Sequence, residues 1–435
     1  MRYEKIDSQL FVSNRARLKA SLKSDGRRTA SMVIIHSNDV IPSNADGTLG
    51  FKQNNDIFYL TGIDQEESIL VLFPDFDDEK FREILFIKET SEHIKIWEGE
   101  KLSKKQATEI SGIEKVVWTS SFETILRKLI FHAEQVYLNL NEHDGGDWVF
   151  ESRERRFISE FKHKFPLHKL ERLAPFMHQL RVIKQPIEIE LIKKAIAITH
   201  KGFVRMAKYL KPNIAEFELE AELTHEFLMN RSRGHAFAPI MAAGKNACVL
   251  HYVTNNKVCK ENDLILMDFG AEYANYNADI TRCLPINGKF SARQKQVYEA
   301  VLRVMKATKK MLIVGNTMEN LRNEVGKIME FELIELGLLK ADEVEKQSED
   351  APLYKKYFPH GISHHLGLDV HDVGNRYEVF KAGMVFTCEP GIYIPEENLG
   401  IRLENDILIT ENGNEDLMAD IPIEIDEIEL LLKKI

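Results

Sequence analysis

The sequence predicts an α+β protein in which a smaller α/β domain precedes a larger domain of long helices and antiparallel strands. Three observations predict it. Residues 1 to about 170 alternate helical and strand-like apolar patterns, whereas beyond them long amphipathic stretches segregate from hairpin-rich runs at 247–285 and 384–411. Segregated helices and antiparallel strands are the pattern of an α+β domain. The 435 residues, 44% hydrophobic and 29% charged, also suffice for two substantial cores. The division falls near residue 174, giving domains 1–174 and 175–435.

In the first domain NRARLKASL (14–22) has helical spacing, and SMVIIHS (31–37), SILVLFPD (68–75) and REILFIKE (82–89) are apolar strands. SFETILRKLIFHA (121–133) is amphipathic, and ESRERRFISEFKHKF (151–165) is a polar, basic stretch before the boundary. In the second domain Pro186 sits near the start of a helix that carries Ile187, Leu191, Ile192, Ala195 and Ile196 on one face. Helices are expected at 187–210, 216–230, 292–313 and 317–336, with ADEVEKQSED (341–350) a solvated insertion.

A net charge of −10, with basic residues interspersed among acids, gives no footprint for nucleic acid or an anionic membrane. Cys248, Cys259, Cys283 and Cys388 form no CxxC unit, which suits a reducing compartment. The N-terminus has no apolar signal-like core and no run approaches a membrane span, so a cytoplasmic location is expected.

The chemistry concentrates in two carboxylate pairs and a histidine. Asp268 ends LILMDF (264–269) and Asp279 lies in NADITRCL (277–284). A hairpin about Tyr273–Ala274 would make them directly opposed partners, with Cβ atoms roughly 5 Å apart. Glu389 and Glu404 flank a second hairpin, whose turn falls in IPEENLG (394–400), and face each other in the same way. Between the pairs, HGISHHLGLDVHD (360–372) offers His360, His364, His365 and His371. Four converging carboxylates repel unless cations offset them, and four negative charges match two divalent metals. That predicts a two-metal hydrolase. Four carboxylates and one imidazole favour Mn²⁺, with Zn²⁺, Co²⁺ and Fe²⁺ as alternatives. Arg402 shares a strand face with Glu404, either to position it or to meet substrate. His251, in VLHYV, occupies an apolar strand or its end.

Other motifs fail on inspection. His225-Glu226 begins like a zincin helix, but position 229 is Met. Asp75, Asp77 and Asp78 lack the glycine of a calcium loop, and no GxSxG or Walker string occurs.

The strings MDFGAEYANYNADITR (267–282), HGISHHLGLDVHDVG (360–374), MVFTCEPGIYI (384–394) and GIRLENDILIT (400–410) closely resemble the pita-bread metallopeptidases. That family includes methionine aminopeptidase, prolidase, Xaa-Pro aminopeptidase and the metal-free creatinase. The resemblance runs from about 175 to the C-terminus. It implies a pita-bread catalytic domain with Asp268, Asp279, His364, Glu389 and Glu404 as dinuclear metal ligands, and Glu389 as the proton acceptor. His251, His360 and His371 would bind substrate and stabilise the intermediate. The strings FKQNNDIFYLTGIDQEESILVLFPD (51–75) and IWEG (96–99) resemble the N-terminal domain of Xaa-Pro aminopeptidases more than that of prolidases. The implied activity is removal of the first residue from peptides with proline second, with prolidase action on Xaa-Pro dipeptides as the alternative. A metal-free amidinohydrolase is disfavoured by the complete ligand set, as is a non-catalytic binding module. Relatives are commonly dimers or tetramers, so the resemblance implies a homodimer or homotetramer, and in bacterial relatives the tryptophan matching Trp97 reaches a neighbour's active site. The chain departs from the family at His365, where an aromatic is usual, and in the short segment Gly374 to Gly383, both of which bear on the pocket rim.

Overall fold

The computed structural model describes residues 2–24, 30–143, 150–348 and 350–433. It contains two compact units, Tyr3–Arg181 and Val182–Ile435. The first comprises α1 (Gln9–Ser24), β1 (Ser31–His36), α2 (Asn55–Thr61), β2 (Ile69–Leu72), β3 (Glu83–Ile87), α3 (Glu92–Trp97), α4 (Lys104–Ser111), β4 (Val116–Trp118), α5 (Phe122–Ile130), β5 (Gln135–Leu138), α6 (Arg153–Lys164), β6 (Lys169–Arg172) and α7 (Ala174–Val182). Its six-stranded sheet runs β4-β3-β2-β1-β5-β6. The β1–β2 and β2–β3 pairs are antiparallel, and the β3–β4, β1–β5 and β5–β6 pairs are parallel. Strands β1, β2 and β5 are buried along their whole length, which is why they read as unbroken apolar runs rather than alternating ones. One core joins Met32, Ile34, Val71 and Phe86 of the sheet to Phe122, Leu126 and Leu129 of α5 and Phe161 of α6.

Two expectations change here. The polar stretch 151–165 is the helix α6, capped where Ser152 accepts from Arg155 N–H at 3.3 Å. Its buried residue Phe161 and the half-buried Phe157 and Phe165 recur every fourth position, a narrow stripe that the surrounding charges mask. The boundary also falls later than 174, because α7 stays with the first unit. Leu173 N–H bonds Leu138 O at 3.1 Å, and Arg181 Nη1 pairs with Asp56 at 2.9 Å.

The second unit holds α8 (Pro186–Tyr209), α9 (Glu216–Met229), β7 (Ile240–Ala243), β8 (Leu264–Phe269), β9 (Glu272–Tyr273), β10 (Tyr276–Asn277), β11 (Ile280–Pro285), α10 (Ala292–Met311), α11 (Met318–Glu335), α12 (Ala341–Val344), β12 (Val385–Cys388), β13 (Gly391–Ile394), β14 (Leu399–Arg402), β15 (Asn405–Thr410), β16 (Gly413–Asp416) and α13 (Ile425–Lys433). Pro186 opens α8, and Gln185 N–H donates to Glu188 at 2.9 Å. Gly202 lets α8 approach α9, since a Cβ there would come within 2.5 Å of Leu223. Three-stranded sheets β11-β8-β7 and β12-β15-β16 carry the strand ends where the acids lie. The strand expected from 247 onward begins only at Leu264. Residues 244–248 form a 3₁₀ turn, and the following VLHYV is irregular, with Val249 and Val253 exposed. Of the run 341–350, α12 is helical and residue 349 lies outside the described residues. All four cysteines are free. Among the described residues no helix is long and apolar enough to cross a membrane.

Candidate metal centre

Two hairpins and one loop build the site. In the first hairpin Tyr273 pairs with Tyr276 and Asp268 with Thr281, so the turn is Ala274–Asn275, one residue later than expected at its centre. Both turn residues have positive φ, 55° and 67°, as a two-residue hairpin turn of the primed type requires. Asp279 is therefore not directly opposite Asp268. It sits two residues before Thr281, diagonal to Asp268 and on the same face. The second hairpin has the expected register: Cys388 pairs with Asn405 and Gly391 with Arg402, which brings Glu389 opposite Glu404. The loop bearing His364 lies along β12, with Thr387 N–H bonding His364 O at 2.9 Å and His364 N–H bonding Thr387 Oγ1 at 3.1 Å.

The donors converge. One ligand atom each from Asp279, His364 and Glu404 lie within 4.8 Å of one another. His364 Nε2 is 3.6 Å from Asp279 Oδ2 and 3.6 Å from Glu389 Oε1. Its Nδ1 lies 3.0 Å from His365 O, and a carbonyl only accepts, so Nδ1 carries the proton and Nε2 keeps its lone pair for the cluster. Arg402 Nη2 donates to Asp268 Oδ2 at 2.5 Å, and Thr281 Oγ1 donates to Glu404 Oε2 at 2.7 Å. Thr387 Oγ1 donates to Glu389 Oε1 at 3.3 Å.

Burial, then the neighbouring carboxylates Asp268, Asp406 and Glu389, push the Asp279 pKa well above the usual range. Burial and then Asp279, Glu389 and Asp268 do the same to Glu404. Glu389 also rises, chiefly through burial, against the lowering effect of His364 and of the Arg402 charge. Asp268 Oδ1 and Asp279 Oδ1 are buried and accept no hydrogen bond from the protein. Buried carboxylate oxygens without donors are costly, and divalent cations would satisfy them. Asp268, Asp279, His364, Glu389 and Glu404 thus fit a metal-binding set.

The other candidates divide. His360 has its Nε2 at 2.7 Å from Tyr393 Oη, and burial followed by the Arg402 charge pushes its pKa down to about 3. His371 is exposed and stacks on His364, ring centroids 4.1 Å apart. His251 is exposed on the irregular loop rather than on a strand, and its charge also opposes protonation of His360. Arg402 is buried and does not reach Glu404 directly. Its donors go to Asp268, to Tyr393 Oη at 2.8 Å and to Thr281 Oγ1 at 3.0 Å, and Thr281 holds Glu404. His365 is half-buried against Phe386, centroids 4.3 Å apart, which fills the aromatic's place with an imidazole. Trp97 ends α3 in the first unit and is 70% exposed.

Thr281, Thr387, Tyr393 and Asp406 escaped the sequence reading. Asp406 Oδ2 accepts Asp279 N–H at 3.2 Å. The signal was present: Thr281, Thr387 and Asp406 each stand two residues from a candidate ligand, hence on its strand face.

Residues 190–411 match the model of metallopeptidase family M24, and residues 11–137 match the aminopeptidase P N-terminal domain. The chain is 33% identical over 443 residues to a Xaa-Pro aminopeptidase of Haemophilus influenzae, covering 98% of each. It is 34% identical over 416 residues to that of Escherichia coli, covering 92% of this chain and 93% of the other. Among solved structures, aminopeptidase PepP of Pseudomonas aeruginosa superposes with a TM-score of 0.89 at 30% identity, over 99% of each chain. A glutamate-to-alanine variant of Escherichia coli aminopeptidase P in complex with substrate gives 0.86 at 31%, again over 99% of each.

Proposed function

Because the chain belongs to metallopeptidase family M24 and carries an aminopeptidase P N-terminal domain, we propose that it is a dinuclear, manganese-dependent aminopeptidase that removes the first residue from peptides with proline second. The observation that carries this reading is the convergence of ligand atoms from Asp279, His364 and Glu404 within 4.8 Å of one another, beside the buried, unpartnered Oδ1 atoms of Asp268 and Asp279. Asp268, Asp279, His364, Glu389 and Glu404 would hold two divalent ions, and the oxygen-rich set favours Mn²⁺. Such ions supply Lewis-acid polarisation of the scissile carbonyl and acidify the attacking water.

The protein's own groups do the rest. Glu389, held by Thr387 and opposite Glu404, accepts the proton of the attacking water. Arg402 occupies one oxygen of Asp268 and leaves the other for a cation. His360, kept neutral, is oriented by Tyr393 toward the substrate side of Glu389, with Nδ1 3.6 Å from Oε2. His251 and His371, both exposed, offer ring N–H groups to the developing oxyanion and the proline side of the substrate. Proline presents no amide hydrogen, so ring shape and these imidazoles replace that donor in recognition. An oligomer in which Trp97 meets a neighbour's site, and a cytoplasmic location, complete the proposal.

The test is release of the first residue from Xaa-Pro-Yaa tripeptides by the purified protein with Mn²⁺ restored, next to matched Xaa-Pro dipeptides. Cleavage of dipeptides alone would assign the chain to prolidase action instead.

A further inference from the structure

The loop that carries His251 runs from the end of the 3₁₀ turn at Cys248 to the start of β8 at Leu264, yet one buried side chain ties down both of its flanks. Glu216, first residue of α9, is 0% exposed. Its Oε1 accepts from Ala243 N–H at 3.0 Å and Asn246 Nδ2 at 3.0 Å, before His251. Its Oε2 accepts from Tyr252 Oη at 2.7 Å and Lys257 N–H at 2.9 Å, after it. Four donors fill the carboxylate's acceptor capacity. It stands in the first turn of α9, at the positive end of that helix's dipole. Glu216 N–H also bonds Lys257 O at 2.9 Å, so the carboxylate and its own backbone grip the returning strand together.

A second pin lies one turn further along α9. Asn255 Nδ2 donates to Glu220 Oε2 at 2.8 Å and to Pro239 O at 2.9 Å, while its Oδ1 accepts Met241 N–H at 2.9 Å. Asn255 is 2% exposed and holds a positive φ of 45°, a conformation kept only where neighbours over-determine it. His251 is thus an exposed imidazole next to a tethered tyrosine, inside a segment fastened at Ala243, Asn246, Tyr252, Asn255 and Lys257.

We infer that Glu216 is a positioning residue of the active site, which through Tyr252 presents the His251 imidazole in its reactive place. This deepens the aminopeptidase reading and rests on it, since it gives the His251 loop a duty toward substrate. Neither Glu216 nor Tyr252 touches the metal-binding set, so the effect separates from metal loading.

Tyr252→Phe keeps the ring and removes one tether, with little risk to folding. It is expected to lower kcat/KM on an Xaa-Pro-Yaa peptide about tenfold, as a small misplacement of a catalytic group does. Bound Mn²⁺, read by elemental analysis, stays at the wild-type level. Amide hydrogen exchange over 249–256 speeds up in the variant. In a His251→Ala background the same substitution changes kcat/KM by less than about twofold, because a misplaced group that is already absent costs nothing more. A full additive loss in that background, or unchanged exchange across the loop, would overturn the inference while leaving the aminopeptidase reading intact. A wild type that releases no residue from any peptide overturns both.

Discussion

Thr281 shows how little side chain is needed to fix a carboxylate. Arginine only donates, so the Arg402 Nε–H bond to Thr281 Oγ1 forces the hydroxyl hydrogen toward Glu404. The guanidinium thereby orients two acids at once, Asp268 directly and Glu404 through the hydroxyl. Thr281→Val keeps the shape and leaves both buried neighbours short of a partner. Such outer contacts are worth about 10–100-fold in metal affinity. We expect a loss in that range on titration calorimetry with Mn²⁺, and recovery of most of it in Thr281→Ser. Equal affinity in the valine variant would make the hydroxyl a packing group. The acids and His364 were legible because their types are rare in apolar runs. Thr281 and Thr387 were not, because threonine is ordinary in a strand and only its distance of two from a ligand marks it.

At the scale of elements, the hairpins explain both success and error in reading the sequence. The turn between β13 and β14 contains Pro395 and an Asn398 with φ of 52°, strong punctuation that fixes the register and brings Glu389 opposite Glu404. The first hairpin turns through Ala274 and Asn275 with no glycine, so Asn275 alone in YANY hints at positive φ while Ala274 gives no sign of it, and the midpoint moved. The loop 249–255 failed for a different reason. Its apolar residues look like a strand, but its hydrogen bonds go to Glu216 and Glu220, partners that sequence spacing does not reveal. Within the first hairpin, Gly270 is where the strands come closest. A Cβ there would lie 1.7 Å from Ala278 O, and relief requires moving the backbone that carries Asp279. Gly270→Ala should therefore destabilise the protein by about 3 kcal/mol or more and weaken Mn²⁺ binding with it. Thermal unfolding and metal titration on the same sample check both. Loss of stability with intact metal affinity would show that Asp279 is held by Asp406 rather than by the hairpin.

The whole molecule places a buried charge cluster in each of its two units, and each answers to a different reagent. In Val182–Ile435 burial, and then the neighbouring carboxylates, push the pKa values of Asp279 and Glu404 up, a cost that bound cations would relieve, so chelation should lower the melting temperature. Mass action puts the lost stabilisation at about 2.7 kcal/mol for metal held at a hundred times its dissociation constant. A scan with and without EDTA that shows no shift would count against a loaded site. In Tyr3–Arg181 the commitment is Arg15, whose side chain is 1% exposed. It bonds Glu83 Oε2 at 2.9 Å, Leu60 O at 2.7 Å and Ser111 O at 2.9 Å, and Lys19 joins Glu83 at 2.5 Å. Burial alone would raise the Glu83 pKa, but Arg15 and Lys19 outweigh it and hold the carboxyl below its usual range. A depressed folded pKa means that the unfolded chain binds the proton more readily. The stabilisation is therefore complete above the unfolded value of about 4.3 and disappears as pH falls through the lower, folded value. Glu83→Gln leaves Arg15 buried without its counter-charge and should cost about 3 kcal/mol at neutral pH. Since a protonated Glu83 resembles glutamine, the gap between wild type and variant should close as denaturant titrations are carried from pH 7 down toward pH 3. A gap that stays constant over that range would assign the loss to altered shape instead of charge.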